Sequence, residues 1–103
     1  MNAEDWGRGD QRRIATRDVP EAVKALVDQK QGGRFCVDCR RNGLTTPDDE
    51  PLVLDHLQPL AYGGDNSWTN LAWRCRSHNL AKGVRPRPSP GADKKPAWSR
   101  RRA

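Results

Sequence analysis

A chain of 103 residues has room for one domain, and with 34% hydrophobic residues and a mean hydropathy of −1.00 it has little to bury. A large apolar core is excluded, and domains this small and polar need a staple, either disulfides or a structural metal, to offset the entropy of ordering the chain. No segment approaches the roughly 18 apolar residues of a membrane span, and the start, Met1 to Trp6, lacks the charged-then-apolar pattern of a signal peptide. A soluble, cytoplasmic protein with no membrane association is therefore expected.

The formal charge of +6 suggests a polyanionic partner, and its placement says more than its total. Residues 84–103 hold seven basic residues against one acidic residue, so residues 1–83 balance and the C-terminal segment carries the whole excess.

In chain order, residues 1–17 mix Gly, Asp and Arg without apolar periodicity and read as a flexible N-terminal arm. The folded domain is expected over residues 18–83. Asp18 reads as the cap of a first helix, with Glu21 placed as in a capping box and Pro20 tolerated in the first turn. Val19, Val23, Leu26 and Val27 fall on one face of that helix, and Gly32-Gly33 ends it. Arg34 to Cys39 reads as a short extended piece leading into a tight turn. A polar loop follows to Pro51, then an alternating strand, Leu52-Val53-Leu54-Asp55-His56. Gly63 to Asn66 marks a turn, Leu71 to Arg74 a returning strand, and Ser77 to Lys82 a short helix stopped by Gly83. Residues 84–103, with four prolines among basic residues, read as a disordered tail. The pattern is α+β: a helix, then strand, long loop, strand, helix.

Three cysteines in a reducing compartment cannot all pair with one another, and thiols there more often bind metal. Cys36-x-x-Cys39 and Cys75-x-x-His78 are two paired-ligand turns 35 residues apart, a spacing that lets two loops converge on one tetrahedral zinc. The alternatives are a Cys36–Cys39 disulfide or three unrelated buried thiols. Asp55 and His56 close a strand and Asn79 lies on the helix after the second pair, so packing that helix across the hairpin would gather all three. A carboxylate and an amide carbonyl are hard ligands of the kind Mg²⁺ accepts, and a neutral imidazole takes a proton from water near pH 7. Such a group suits phosphodiester hydrolysis.

Leu54-Asp55-His56-Leu57-Gln58-Pro59-Leu60, then Gly63-Gly64, Asn70-Leu71, Cys75 and His78-Asn79-x-x-Lys82 together resemble an HNH endonuclease over about residues 34–83. The resemblance implies a zinc-stapled ββα-metal fold, with His56 as general base, Asp55 as a catalytic metal ligand, Asn70 steadying the loop and the base, and cleavage that leaves a 5′-phosphate. One departure is the ending. The family's usual Cys-x-x-Cys-His is here Cys75-x-x-His78-Asn79, which puts His78 on zinc and Asn79 on the catalytic ion, an H-N-N variant. In the rival register His78 serves the catalytic ion and zinc keeps three protein ligands. Adjacent helical residues point about 100° apart, so one ion should not take both.

The expected cofactors are structural Zn²⁺ and catalytic Mg²⁺ or Mn²⁺, and the expected partner is DNA, contacted with low sequence specificity through Lys82, Arg74, Arg76 and the basic tail. Trp68 and Trp73 read as packing residues. By analogy with small proteins of this type, a phage-encoded nuclease beside DNA-packaging machinery is the expected context. The alternatives are a zinc-stapled DNA-binding module without catalysis and an accessory subunit of such a packaging complex. Oligomeric state is left open.

Overall fold

The computed structural model describes residues 2–83, so the basic tail lies outside the described residues. Three helices, α1 (Glu21–Gln31), α2 (Val37–Arg41) and α3 (Arg76–Lys82), surround an antiparallel hairpin of β1 (Leu52–His56) and β2 (Leu71–Cys75). This is a small α+β domain whose last three elements form a ββα unit.

α1 starts later than its capping signal. Asp18 closes a separate 3-10 turn, Thr16–Asp18, and the helix is entered from Pro20 without a side-chain cap. A residue before proline is pushed away from the helical region, and Val19 is extended accordingly (φ −77°, ψ 128°). That steric rule overrides the capping box. Val19, Val23 and Val27 nevertheless share a buried face, packed with Leu71 and Trp73 of β2, and Gly32 ends the helix in the left-handed conformation. Polar contacts fix the angle between helix and hairpin. Gln31 Oε1 accepts from the Trp73 amide (3.0 Å), Asp28 Oδ1 from Trp73 Nε1 (2.7 Å), and Lys30 Nζ donates to the carbonyls of Trp68, Thr69 and Leu71.

The segment read as a flexible arm has a packed course in this structure. Ala3, Trp6 and Ile14 pack against the valine core, and Gly9 N donates to Asp65 Oδ2 (2.9 Å). Sequence pattern missed this because the three apolar residues are spaced irregularly among Gly, Asp and Arg. Trp68 packs on the same core, as expected.

Register places the functional ends. Leu52 pairs with Cys75 and His56 with Leu71, so Cys75 and His56 stand at opposite ends of the hairpin, about 13 Å apart at strand rise. α3 leaves Cys75 and runs back along the sheet for seven residues, about 10 Å, which covers most of that length. The loop joining the strands is closed by Asn70. Its Oδ1 accepts from Gln58 N (2.8 Å), and its Nδ2 donates to the carbonyls of Gln58 (3.0 Å) and Asp65 (2.8 Å).

Gly64 is pressed into the closed loop. A Cβ there would lie 1.9 Å from the Gln58 carbonyl oxygen and 2.9 Å from Asn70 Nδ2. Gly64→Ala is expected to destabilise the zinc-loaded protein by more than about 2 kcal/mol, measured by chemical denaturation, because backbone rather than a flexible side chain must move.

Candidate functional site

Two centres flank the hairpin. At one end, α2 is a single turn rather than the extended piece its sequence suggests. Cys36 stands at its N-cap and accepts from the Cys39 amide through sulfur (3.4 Å). Cys75 ends β2, and His78 lies in the first turn of α3. His78 Nδ1 is 3.4 Å from Cys36 Sγ, 3.4 Å from Cys39 Sγ and 3.2 Å from Cys75 Sγ, and the Cys39 and Cys75 sulfurs are 3.9 Å apart. All four donor atoms fall within 4.8 Å of one another, and all three cysteines are buried and free of disulfides.

These separations fit a metal at the centre. Zinc bonds of about 2.3 Å to sulfur and about 2.0 Å to nitrogen, set tetrahedrally, require edges of about 3.5–3.8 Å. The protonation pattern points the same way. Burial pushes the Cys36 thiol up, but hydrogen bonds from the Cys75 and Cys39 amides, the Cys39 thiol and His78 outweigh it and bring it down to about 7. Burial first, and then the neighbouring Cys36 and Cys75 sulfurs, pushes Cys39 up to about 12. A sulfur held this close to two others gives up its proton readily only when a cation lies between them. The four residues therefore form a site suited to zinc.

At the other end, Asp55, His56, Asn79 and Lys82 line one open cleft of about 460 Å³, with Arg13, Pro59, Leu60 and Leu80 among its walls. Asp55 Oδ2 takes the Arg74 guanidinium (2.5 Å) and the Lys82 ammonium (3.1 Å), while Oδ1 accepts from Asn79 Nδ2 (3.0 Å). Lys82 also donates to the His56 carbonyl (3.1 Å). His56 Nε2 lies 2.8 Å from Asn66 Oδ1. α3 thus turns His78 to the thiols and Asn79 to Asp55. A half-turn of the Asn79 amide would present its oxygen beside the carboxylate, a hard oxygen pair that fits Mg²⁺ or Mn²⁺.

Arg74 corrects one expectation. Only 5% exposed, it bridges Asp38 of α2 (Nε to Oδ2, 2.9 Å) and Asp55 of β1, so its guanidinium serves the scaffold where a DNA contact was expected. Strand alternation could not reveal this, because β2 is buried along its whole length. Lys82 is turned inward onto Asp55 and the His56 carbonyl, and Arg76 is exposed. Asn70 spends its amide on the loop backbone, and the asparagine that meets the His56 ring is Asn66. Reading residues 63–66 only as a turn missed Asn66, and nothing in the sequence pattern separates it from an ordinary turn asparagine.

The metal-site geometry generates a test. One zinc per chain is expected by elemental analysis of purified protein. Chelation should abolish cooperative thermal unfolding, since a domain with this little core folds with its metal. His78→Cys should keep one zinc per chain, whereas His78→Ala should lower zinc affinity by at least about tenfold.

Comparison with curated proteins and with solved structures gave no match. A family model described as HNH endonuclease matches residues 36–85, a span that includes both cysteine and histidine pairs, the whole hairpin and α3. Residues 36–85, the stretch that carries both candidate centres, are thus similar to the HNH endonuclease family.

Proposed function

We propose that the protein is a Mg²⁺- or Mn²⁺-dependent endonuclease that hydrolyses DNA phosphodiester bonds with low sequence preference. The observation that carries this reading is the meeting of Asp55, His56 and Asn79 on one cleft, beside a separate thiol and imidazole cluster. Asp55 and Asn79 would hold the divalent ion, which when bound supplies positive charge to the phosphate and the leaving oxygen. His56 accepts a proton from a water as that water's oxygen bonds to phosphorus. The bond from phosphorus to the 3′-oxygen breaks, the 3′-oxygen takes a proton from solvent, and the phosphate stays on the 5′ side. The imidazole then returns its proton to solvent. Cys36, Cys39, Cys75 and His78 hold zinc and take no part in the chemistry.

Affinity for DNA rests on phosphates. Arg13 at the cleft wall and exposed Arg76 are placed for backbone contacts, and the basic charges of residues 84–103 add a sequence-indifferent tether. Lys82, paired with Asp55 at 3.1 Å, would be free to meet a phosphate if Asp55 held a divalent ion instead. No helix among the described residues is long and apolar enough to cross a membrane, and the proposed partner is DNA.

One observation favours a second reading, a DNA-binding module or partner-activated subunit without turnover of its own. Asp55 already carries two cationic side chains. Incubation of supercoiled plasmid with the protein and Mg²⁺ or Mn²⁺ separates the readings. The nuclease reading expects open-circular or linear product, lowered about 10²-fold to 10⁴-fold by His56→Ala. Asn79→His should retain cleavage and extend it to Ni²⁺, since imidazole suits that ion better than an amide does. Plasmid binding without cleavage under every ion would instead establish the second reading. Removal of residues 84–103 should weaken plasmid binding at about 50 mM salt and flatten its salt dependence, with a slope change of about 0.9 for each phosphate that the tail neutralises.

A further inference from the structure

The orientation of the His56 ring is tied, through Asn66, to residues outside 36–85. His56 Nε2 stands 2.8 Å from Asn66 Oδ1, and Asn66 Nδ2 lies 2.7 Å from both the Asp10 and the Arg12 carbonyl oxygens. Those carbonyls only accept, so the amide nitrogen must face them and the amide oxygen must face the imidazole. Oδ1 also only accepts. Nε2 therefore carries the hydrogen, and Nδ1 keeps the lone pair. Reversing the amide would set its oxygen against two carbonyl oxygens in a place where Asn66 is 2% exposed and water offers no substitute.

The N-terminal segment is fitted to this turn. The Asn66 backbone N–H donates to the carbonyls of Gly7 (3.1 Å) and Asp10 (3.0 Å), and Gly9 N donates to Asp65 Oδ2 (2.9 Å). Gly7 has φ +76°, and a Cβ there would lie 2.4 Å from the Asn66 carbonyl oxygen, so a side chain would lift the segment from the turn.

We infer that residues 7–12 and Asn66 are a positioning device for the general base. The two carbonyls fix the amide, the amide fixes the imidazole, and Nδ1 is left to accept the proton of the attacking water. This rests on the reading of His56 as the base. Asn66 acts through His56 and touches no reacting atom.

His56 and His78 are the only histidines in the chain, so nitrogen NMR of zinc-loaded, full-length protein labelled at histidine is simple to assign. At a pH where His56 is neutral, a slowly exchanging hydrogen on its Nε2 is expected, with Nδ1 bare. In Asn66→Ala and in Gly7→Ala that hydrogen should be lost to fast exchange. For plasmid nicking, kcat should fall at least about tenfold in both variants while KM stays within about twofold, the split expected when transition-state stabilisation is removed. The inference is overturned by a hydrogen on Nδ1 in the wild type, or by both variants folding with the Nε2 hydrogen and kcat unchanged. If the variants do not fold, exchange of the Asn66 side-chain amide hydrogens in the wild type decides: slow exchange of both supports the device and fast exchange overturns it. A wild type with the expected hydrogen that cleaves no DNA keeps the device and removes the nuclease reading.

Discussion

Convergence of Cys36, Cys39, Cys75 and His78 on one point fixes the direction of α3, and the rest of the site follows from that direction. A seven-residue helix has no stability of its own. α3 is held at its first turn by His78 and by Glu50, which accepts from the Ser77 amide (2.9 Å) and hydroxyl. With His78 turned to the thiols, the next residue is rotated about 100° away and meets Asp55 across the hairpin. One helix thereby faces both the thiol cluster and the cleft, and its pitch keeps His78 and Asn79 apart.

A second constraint ties the centres from inside. Arg74 reaches from β2 to Asp38 on α2, next to the thiol cluster, and to Asp55 on β1, at the cleft. Burying three charges costs desolvation, and an apolar replacement would often be as stable. What the arrangement provides is position. Arg74 and Lys82 hold one oxygen of Asp55 while Asn79 meets the other, which leaves the carboxylate a single orientation. The same logic applies to the loop between the strands, where Asn70 closes the backbone and Asn66 orients the imidazole. Two asparagines four residues apart divide between them the steadying role that the family resemblance assigned to Asn70 alone.

Elements with a local cause were legible in the sequence. The alternation of Leu52 to His56, the paired two-residue spacings of Cys36/Cys39 and Cys75/His78, and the valine face of α1 each depend on residues close in the chain, and the structure places them as read. The helix start failed because two local rules conflicted at Asp18 and Pro20, and the proline won. Contacts between distant segments were not legible. The burial of Arg74 depends on acids 36 and 19 residues earlier, and the packing of residues 2–15 depends on isolated apolar side chains and on glycines that let the backbone approach Asn66. Neither leaves a periodic trace. The two asparagines illustrate the limit: Asn70 lies in a recognisable motif, while Asn66, which makes the closer contact with His56, lies in a turn that composition alone describes.

The central claim is that adjacent residues of one helix belong to different metal centres. Anomalous diffraction from crystals of the zinc-bound protein soaked in Mn²⁺, recorded on either side of the zinc edge and at a wavelength where manganese scatters, tests it directly. The account predicts a zinc peak enclosed by Cys36, Cys39, Cys75 and His78, and a separate manganese peak touching Asp55 and Asn79 and not His78. Manganese on His78, with zinc held by the three cysteines alone, would contradict it.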